Sequence, residues 1–315
     1  MSTINVVLLG AGGQLGRTIA ADWQQGDEIG ALADANEPAV VTKPAIRLHC
    51  FDRSELDICQ PDQFSELLDG LDPQVVINAA AYTQVDKAES EADQAMRINR
   101  DGAANVAQWT AANGCRLIHL STDFVFSGNA AIPYAPEDAT VPVNHYGLSK
   151  LEGESAIGRI CPGGSLIFRT SWLYSRYQPN FVTTMLRLMK ERDQLGVVAD
   201  QVGTPTSTHS LTRLIGSAIN NNVSSGIFHW SDAGVASWYD FAVAIQEEAL
   251  AVGLLESAIP ISPIKTSDYP TPATRPSYSV MDKSASYETF SINAIHWRTE
   301  LRRVIEELNE ARDST

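Results

Sequence analysis

The chain has 315 residues, more than one hydrophobic core usually holds, so two lobes or a large domain with an appendage are expected. Its 44% hydrophobic and 19% charged residues give a globular composition and exclude disorder. A formal net charge of -15 argues against nucleic-acid or anionic-membrane partners, which favour a basic face, so an anionic ligand would need a local pocket of Arg, Lys and backbone amides.

The start, Met1–Leu9, lacks the basic segment of a signal peptide and runs straight into glycines. No apolar run approaches the roughly 18 residues that span a bilayer. A soluble, cytoplasmic protein is therefore expected, with Cys50, Cys59, Cys115 and Cys161 as reduced thiols because no CxxC spacing joins them.

Ile4–Leu9 is a continuous apolar run, the pattern of a parallel strand buried on both faces. It ends in Gly10-Ala-Gly-Gly13-Gln14-Leu15-Gly16, and the helical pattern Arg17–Gln24 follows. Glycines between a strand and a helix let the backbone approach a pyrophosphate at the helix N-terminus. The next strand should end at the adenosine ribose, and two readings stand. Ile29–Ala33 would place Asp34 there; Ile46–Phe51, slightly favoured, would place Asp52 and Arg53 there with residues 34–45 as an inserted loop. An acid beside an arginine accommodates a ribose diol or a 2'-phosphate, so NADH and NADPH both remain candidates.

Gln60–Leu68 reads as a helix and Gln74–Ala79 as another buried strand, ending in Ala79-Ala80-Ala81-Tyr82, small enough for a cofactor to cross the sheet. A helix is predicted over Glu89–Asn113, with Asn99 inside it and able to bond a kinked backbone. Cys115–Leu120 is the next strand, with Ser121, Thr122 and Asp123 at its C-terminal edge. Pro142 and Asn144 then mark the start of a helix that places Tyr146 and Lys150 on one face.

That pair has a chemical use. A free tyrosine has a pKa near ~10, and an ammonium one turn away together with the positive helix end should lower it. The phenol could then exchange a proton with a carbonyl or hydroxyl oxygen while hydride moves at the adjacent carbon, and Thr122 would hold that oxygen. Ser165–Arg169 completes an alternation that predicts an α/β, doubly wound parallel sheet of Rossmann type. The expected division is a dinucleotide-binding domain over 1–170, with a return of chain from about 200–228, and a smaller C-terminal α/β substrate-binding lobe over 171–315. In that lobe helices are predicted over Phe181–Lys190, Leu211–Asn220, Trp238–Val252 and Glu300–Asn309, and strands over Gly196–Ala199 and Gly226–Trp230.

A nucleotide turn after the first strand, a Thr at the end of a later strand, and Y-x-x-x-K 24 residues on resemble the extended short-chain dehydrogenase/reductase superfamily. The phrases Asn78–Glu89, Ser121–Phe126, Phe168–Tyr174, Asp200–Pro205 and Tyr269–Pro276 closely resemble the dTDP-4-dehydrorhamnose reductases, over nearly the whole chain. The resemblance implies NADPH- or NADH-dependent reduction of the C4 ketone of dTDP-4-dehydro-L-rhamnose, for cell-surface polysaccharide.

It implies that Tyr146 donates the proton and that Lys150 tunes it while holding the nicotinamide ribose, with Thr122 and Asp123 orienting the sugar and Trp172 contacting it. Gly10, Gly13, Gln14, Leu15 and Gly16 would cradle the pyrophosphate, and Asp57 and Ile58 with Ala79–Ala81 would line the cofactor path. Tyr82 and Asn99 are also assigned to the cofactor site. Arg275 is nominated for the substrate diphosphate because a guanidinium fork suits it. A monomer or homodimer is expected.

Two positions depart from the resemblance. Phe124 stands where the family usually has tyrosine, and Thr18 stands where some members place a carboxylate that helps a magnesium ion bridge a dimer, so no metal is assigned. Two other readings remain: another nucleotide-sugar epimerase or dehydratase of the superfamily, and a non-catalytic role like the regulatory subunit of methionine adenosyltransferase. The presence of both Tyr146 and Lys150 weighs against the second.

Overall fold

The apolar run near the start forms β1 (Thr3–Leu9), and its alternate side chains enter two different cores: Val6 and Leu8 in one, Val7 and Leu9 in the other. A computed structural model describes residues 3–24, 45–177, 179–221 and 223–313. The strands β2 (Ala45–Phe51), β3 (Val75–Asn78), β4 (Arg116–Thr122), β5 (Ser165–Thr170) and β6 (Gly226–Trp230) join β1 in one parallel sheet of order β6-β5-β4-β3-β1-β2.

Helices cover both faces, as a doubly wound sheet requires. On one side α1 (Gln14–Gln24) contributes Leu15 and Ile19. On the other, α2 (Asp62–Leu68), α3 (Ala103–Ala112) and α4 (His145–Ile160) supply Phe64, Val106 and Ile157. Beyond β5 the chain forms α5 (Phe181–Glu191), α6 (Thr208–Asn220), α7 (Trp238–Ala251) and α8 (Trp297–Asp313). Of these α6 returns to the α1 face of the sheet, where Leu211, Leu214 and Ile215 are fully buried. The others build a third core around Tyr174, Phe241, Trp297 and Leu301, which includes Val197 from the short parallel pair Leu195–Val198 and Ile261–Ile264.

The strand beside β1 is Ala45–Phe51, so Asp52 stands at its C-terminal end; the alternative strand Ile29–Ala33 with Asp34 lies outside the described residues. The helix expected over Glu89–Asn113 is interrupted. Ala92–Met96 and α3 flank a π-helical stretch, Arg97–Gly102, that widens the helix around Asn99. All four cysteines are free thiols. Among the described residues no helix is long and apolar enough to cross a membrane.

Candidate active site

The strand order reverses at β1, with β2 on one side and β3 on the other, and ligands of open α/β sheets bind above such a switch point. Gly10 sits there with φ of +83°, and a Cβ on it would lie 2.6 Å from the Ala80 amide nitrogen. The end of β3 therefore packs directly on the turn after β1. The amides of Gly10 and Ala11 donate to the Phe51 carbonyl at 2.9 and 3.0 Å, which ties the end of β2 to the same turn.

Two clefts open over this turn. One, of about 210 Å³, is lined by Gly10, Arg53, Asp57, Ile58 and Ala80 together with Leu56 and Ile98, neither of which stands out in the sequence. The other, of about 550 Å³, runs past Gln14, Leu15 and Gly16 to Thr122, Asp123, Tyr146, Lys150 and Trp172. They share Gly12, Gly13, Ala79 and Ala81, so they form one trough whose floor carries almost no side chain. A continuous trough floored by backbone at a helix N-terminus fits an extended dinucleotide.

Arg53 lines the smaller cleft and Asp52, its neighbour, does not; Asp52 Oδ1 accepts from the Ser54 amide at 2.7 Å and the Ser54 hydroxyl at 2.6 Å, and these bonds hold its carboxyl below the usual carboxylate range. Arg53 reaches toward Asp57 at 3.7 Å but stays 71% exposed. The site thus presents a fixed acid and a movable base.

At the wide end, Asn144 caps α4 by accepting from the Gly147 amide at 2.7 Å. Its amide also donates to the Thr274 carbonyl at 2.7 Å, tying the proline-rich loop to the start of this helix. The helix then carries Tyr146 to the Thr122 hydroxyl, a contact that acts on the phenol. The Lys150 Nζ donates to the Leu120 carbonyl at 2.6 Å. Asp123 is fully buried, shares a hydrogen bond with Thr122 at 3.2 Å, and leaves Oδ2 without a partner among the described residues.

The electrostatics correct one expectation. Tyr146 is not lowered by Lys150: burial at its hydroxyl pushes it up to about 12, with the Thr122 hydrogen bond pulling down and the Asp123 charge pushing up. Lys150 is itself brought down to about 8 by burial, while Glu154 acts to raise it. Asp123 rises to about 6, again through burial. Desolvation outweighs the pairing read from the sequence, so Tyr146 is a protonated phenol at neutral pH.

The remaining assigned residues fall as follows. Asn99 is buried in the π-helical stretch, accepting from the Tyr82 amide at 2.8 Å and donating to the Tyr82 carbonyl at 3.0 Å and Ser149 Oγ at 2.9 Å. It braces the backbone after β3. The Tyr82 hydroxyl turns away to Glu91 at 2.7 Å. Trp172 adopts φ of +46° and stacks on Trp238 with ring centroids 3.5 Å apart. A non-glycine residue held in the left-handed region beside a cleft is strain over-determined by its surroundings.

Arg275 is committed elsewhere. Its guanidinium grips Asp86 at 2.8 and 3.0 Å and bonds Thr271, so it pins the proline-rich loop to the segment after β3. Thr18 is buried, its hydroxyl 3.0 Å from the Gln14 carbonyl oxygen and hydrogen-bonded to the Thr208 hydroxyl at 2.8 Å, which joins α1 to α6. No group of three or more His, Cys, Asp or Glu side chains among the described residues is arranged to hold a metal. Sequence reasoning missed Arg17 and Tyr177, which line the wide cleft with the guanidinium 4.1 Å from the ring centroid. It also missed the buried pair of Glu154 and Arg169, which the Ser121 hydroxyl joins to the end of β4.

Fold and site together define a nicotinamide-dependent reductase of the extended short-chain dehydrogenase type: a doubly wound sheet, a glycine turn at its switch point, and a Thr-Tyr-Lys set at the far end of the same trough. A family model described as the RmlD substrate binding domain matches residues 4–310. The chain belongs to the dTDP-4-dehydrorhamnose reductase family. It is 38% identical over 304 residues to the dTDP-4-dehydrorhamnose reductase of Aggregatibacter actinomycetemcomitans, covering 95% of this chain and 97% of that one. It is 35% identical over 313 residues to that of Escherichia coli K12, covering 97% and 98%. Among solved structures, the dTDP-4-dehydrorhamnose reductase of Bacillus anthracis in complex with NADP superposes with a TM-score of 0.85 at 33% identity, covering 98% of this chain and all of that one.

Proposed function

We propose that this protein reduces the C4 ketone of dTDP-4-dehydro-L-rhamnose to the alcohol of dTDP-L-rhamnose, using NADPH or NADH. The observation that carries this reading is the continuity of the trough from Asp57 and Ile58, over the glycine turn, to Thr122, Tyr146 and Lys150. The reduced nicotinamide, when bound, supplies the hydride that the carbonyl carbon accepts.

The chain's own residues manage the proton and the orientation. Tyr146 is protonated at working pH and stands beside the Thr122 hydroxyl, so both can point at the ketone oxygen. As negative charge develops there, Tyr146 gives up its phenolic proton, because an alkoxide is a stronger base than a phenolate. The Lys150 ammonium stabilises the phenolate left behind and holds the ribose hydroxyls of the cofactor. Asp123 lines the same end of the cleft beside Thr122 and orients the sugar there, and the Trp172 ring forms an apolar wall for the substrate.

Gly10, Gly13, Gln14, Leu15 and Gly16 receive the pyrophosphate. Asp52 and Arg53 receive the adenosine ribose, and Asp57, Ile58 and Ala79–Ala81 receive the path between the ribose and the sheet. Asn99 and Tyr82 act one step back, shaping that path through their mutual backbone pairing. Residues 1–170, with the returning segment that contains α6 and β6, make up the dinucleotide-binding unit on this reading, and most of 171–315 the substrate-binding unit. The separate third core around Phe241 and Trp297 supports that division.

The test is absorbance at the reduced-nicotinamide band with purified protein, either cofactor, and the 4-keto sugar generated in place. Stoichiometric loss that depends on both protein and sugar is expected. A flat trace with both cofactors, despite measured cofactor binding, would rule out this substrate.

A further inference from the structure

We propose that Glu154, acting with Ser121 and Arg169, is the positioning group of the reactive centre: it fixes the register of α4 against the end of β4 and serves as the counter-ion of Lys150. Three consecutive strand residues meet three helix residues spaced one turn apart. The Leu120 carbonyl accepts from Lys150, the Ser121 hydroxyl donates to Glu154, and Thr122 lines the cleft with Tyr146 and acts on its phenol. Residues four apart share one helix face, so the three contacts form a ladder along the same strand end. Two of its rungs are the Lys150 and Tyr146 contacts themselves; the third is Glu154, which does not line the cleft.

Glu154 and Arg169 are 4% and 3% exposed, and their pair is bidentate, with Nη2 at 2.7 Å and Nε at 3.0 and 3.2 Å. Arg169 lies directly opposite Ser121 in the β4–β5 register. Its other nitrogen donates to the Pro136 carbonyl at 3.0 Å and approaches His229 Nε2 at 3.5 Å. A buried ion pair is weak as a stabiliser, because desolvation offsets its attraction. Its value here is that one carboxylate sits in a dry interior with two cations, Arg169 and Lys150.

The other titratable groups facing this region do not supply that charge. His119 on β4 is kept neutral by burial and by Lys150, and His229 on β6 is brought down to about 4 by burial and Arg169. Tyr146 is a neutral phenol, and Asp123 lies beyond Thr122. Glu154 is the anion that supports the Lys150 ammonium against burial. The kinetic consequences rest on the reductase reading; the spectroscopic one does not.

Three variants separate position from charge. Ser121→Ala removes the strand half of the Glu154 rung and leaves the ion pair intact. It should lower kcat by about 10- to 100-fold, with KM for sugar and cofactor changed by less than about 3-fold, as for a misplaced reactive group. Glu154→Gln keeps an acceptor for Ser121 and removes the charge, so the alkaline limb of the kcat profile should move down by roughly one pH unit. Should the stranded Arg169 unfold that variant, Glu154→Gln/Arg169→Gln removes both members of the ion pair, leaves the Lys150 ammonium buried without Glu154, and carries the same prediction.

Lys150 is also read without turnover, by NMR titration of protein labelled at lysine Cε, its signal assigned by its loss in Lys150→Ala. The midpoint should fall in the Glu154→Gln background, single or double. Full kcat in Ser121→Ala would overturn the register role, and an unmoved Lys150 midpoint would overturn the counter-ion role. Absence of sugar turnover by the unaltered protein would sink the reductase reading alone, since the titration would still report on Glu154.

Discussion

Gly10→Ala tests whether the switch point is built as described. At this position φ is +83°, and the new Cβ would lie 2.6 Å from the Ala80 nitrogen and 2.8 Å from the Ala79 carbonyl carbon. Left-handed backbone costs an L residue about 1–2 kcal/mol, and overpacking typically adds about 1–3 kcal/mol. No rotamer relieves the overlap, because the neighbouring atoms are backbone. The sum, about 2–5 kcal/mol, is a large part of a typical folding stability of about 5–15 kcal/mol.

Two other glycines separate the contributions. Gly114 has φ of +67° with nothing within 4 Å of where a methyl group would stand, so Gly114→Ala should cost only the conformational part, about 1–2 kcal/mol. Gly158 lies in α4 with open space and no left-handed backbone, so Gly158→Ala should be neutral or stabilising by up to about 1 kcal/mol. Urea unfolding should rank the losses Gly10 over Gly114 over Gly158, and calorimetric titration with NADPH should show weakened binding for the Gly10 variant alone. A Gly10 variant that loses no more stability than the Gly114 variant, or binds cofactor normally, would refute the packing of Ala79–Ala80 on this turn.

Tyr146→Phe keeps the edge-to-face contact with Phe124, whose ring centroid is 5.6 Å away, so folding and cofactor affinity should stay near normal. Turnover should fall by a factor on the order of 10² or more, as for loss of a general acid, measured by reduced-nicotinamide absorbance. For the unaltered protein kcat should decline as pH rises through about 8, where Lys150 loses its proton; a profile flat to pH 10 would contradict this. Asp232 is fully buried and raised to about 8, first by burial and then by Glu300. Its folded pKa exceeds its unfolded one, so it contributes stability at low pH that is lost between about pH 4 and 8. Asp232→Asn should therefore flatten the dependence of unfolding free energy on pH across that window in urea titrations. Asp52→Asn removes the fixed acid at the end of β2 and should raise the affinity for NADPH relative to NADH, read by paired binding titrations.

The parts of the fold that sequence made legible are those where burial and backbone agree. An apolar run followed by glycines reads as a buried strand and its turn, and Asn144, whose side chain meets the Gly147 amide three residues on, is a cap with a mechanism. The pieces that were hidden are of three kinds. Two-residue strands such as Leu173–Tyr174 and Thr206–Ser207 are too short to show a period. The π-helical widening at Asn99 leaves no pattern of its own, although the asparagine hinted at it. Long-range polar pairs are invisible: Arg275 looked free for a diphosphate because Asp86 is 189 positions away, and nothing in the sequence joins Glu154 to Arg169. The same blindness explains the Tyr146 expectation, since i to i+4 spacing displays the neighbouring charge but not the burial that outweighs it.

The return of β6 to the sheet also bears on how the chain is made. About 60 residues separate the end of β5 at Thr170 from the end of β6 at Trp230. At about 5–20 residues per second, a ribosome takes roughly 3–12 s to supply them. During that interval β5 is an open edge, and Phe168 lacks Phe228 and Phe290, against which it packs at 6.2 and 5.4 Å in the finished protein. The nucleotide-binding half is thus the first to begin and among the last to close, and a nascent chain halted in this window carries a sticky, unfinished sheet.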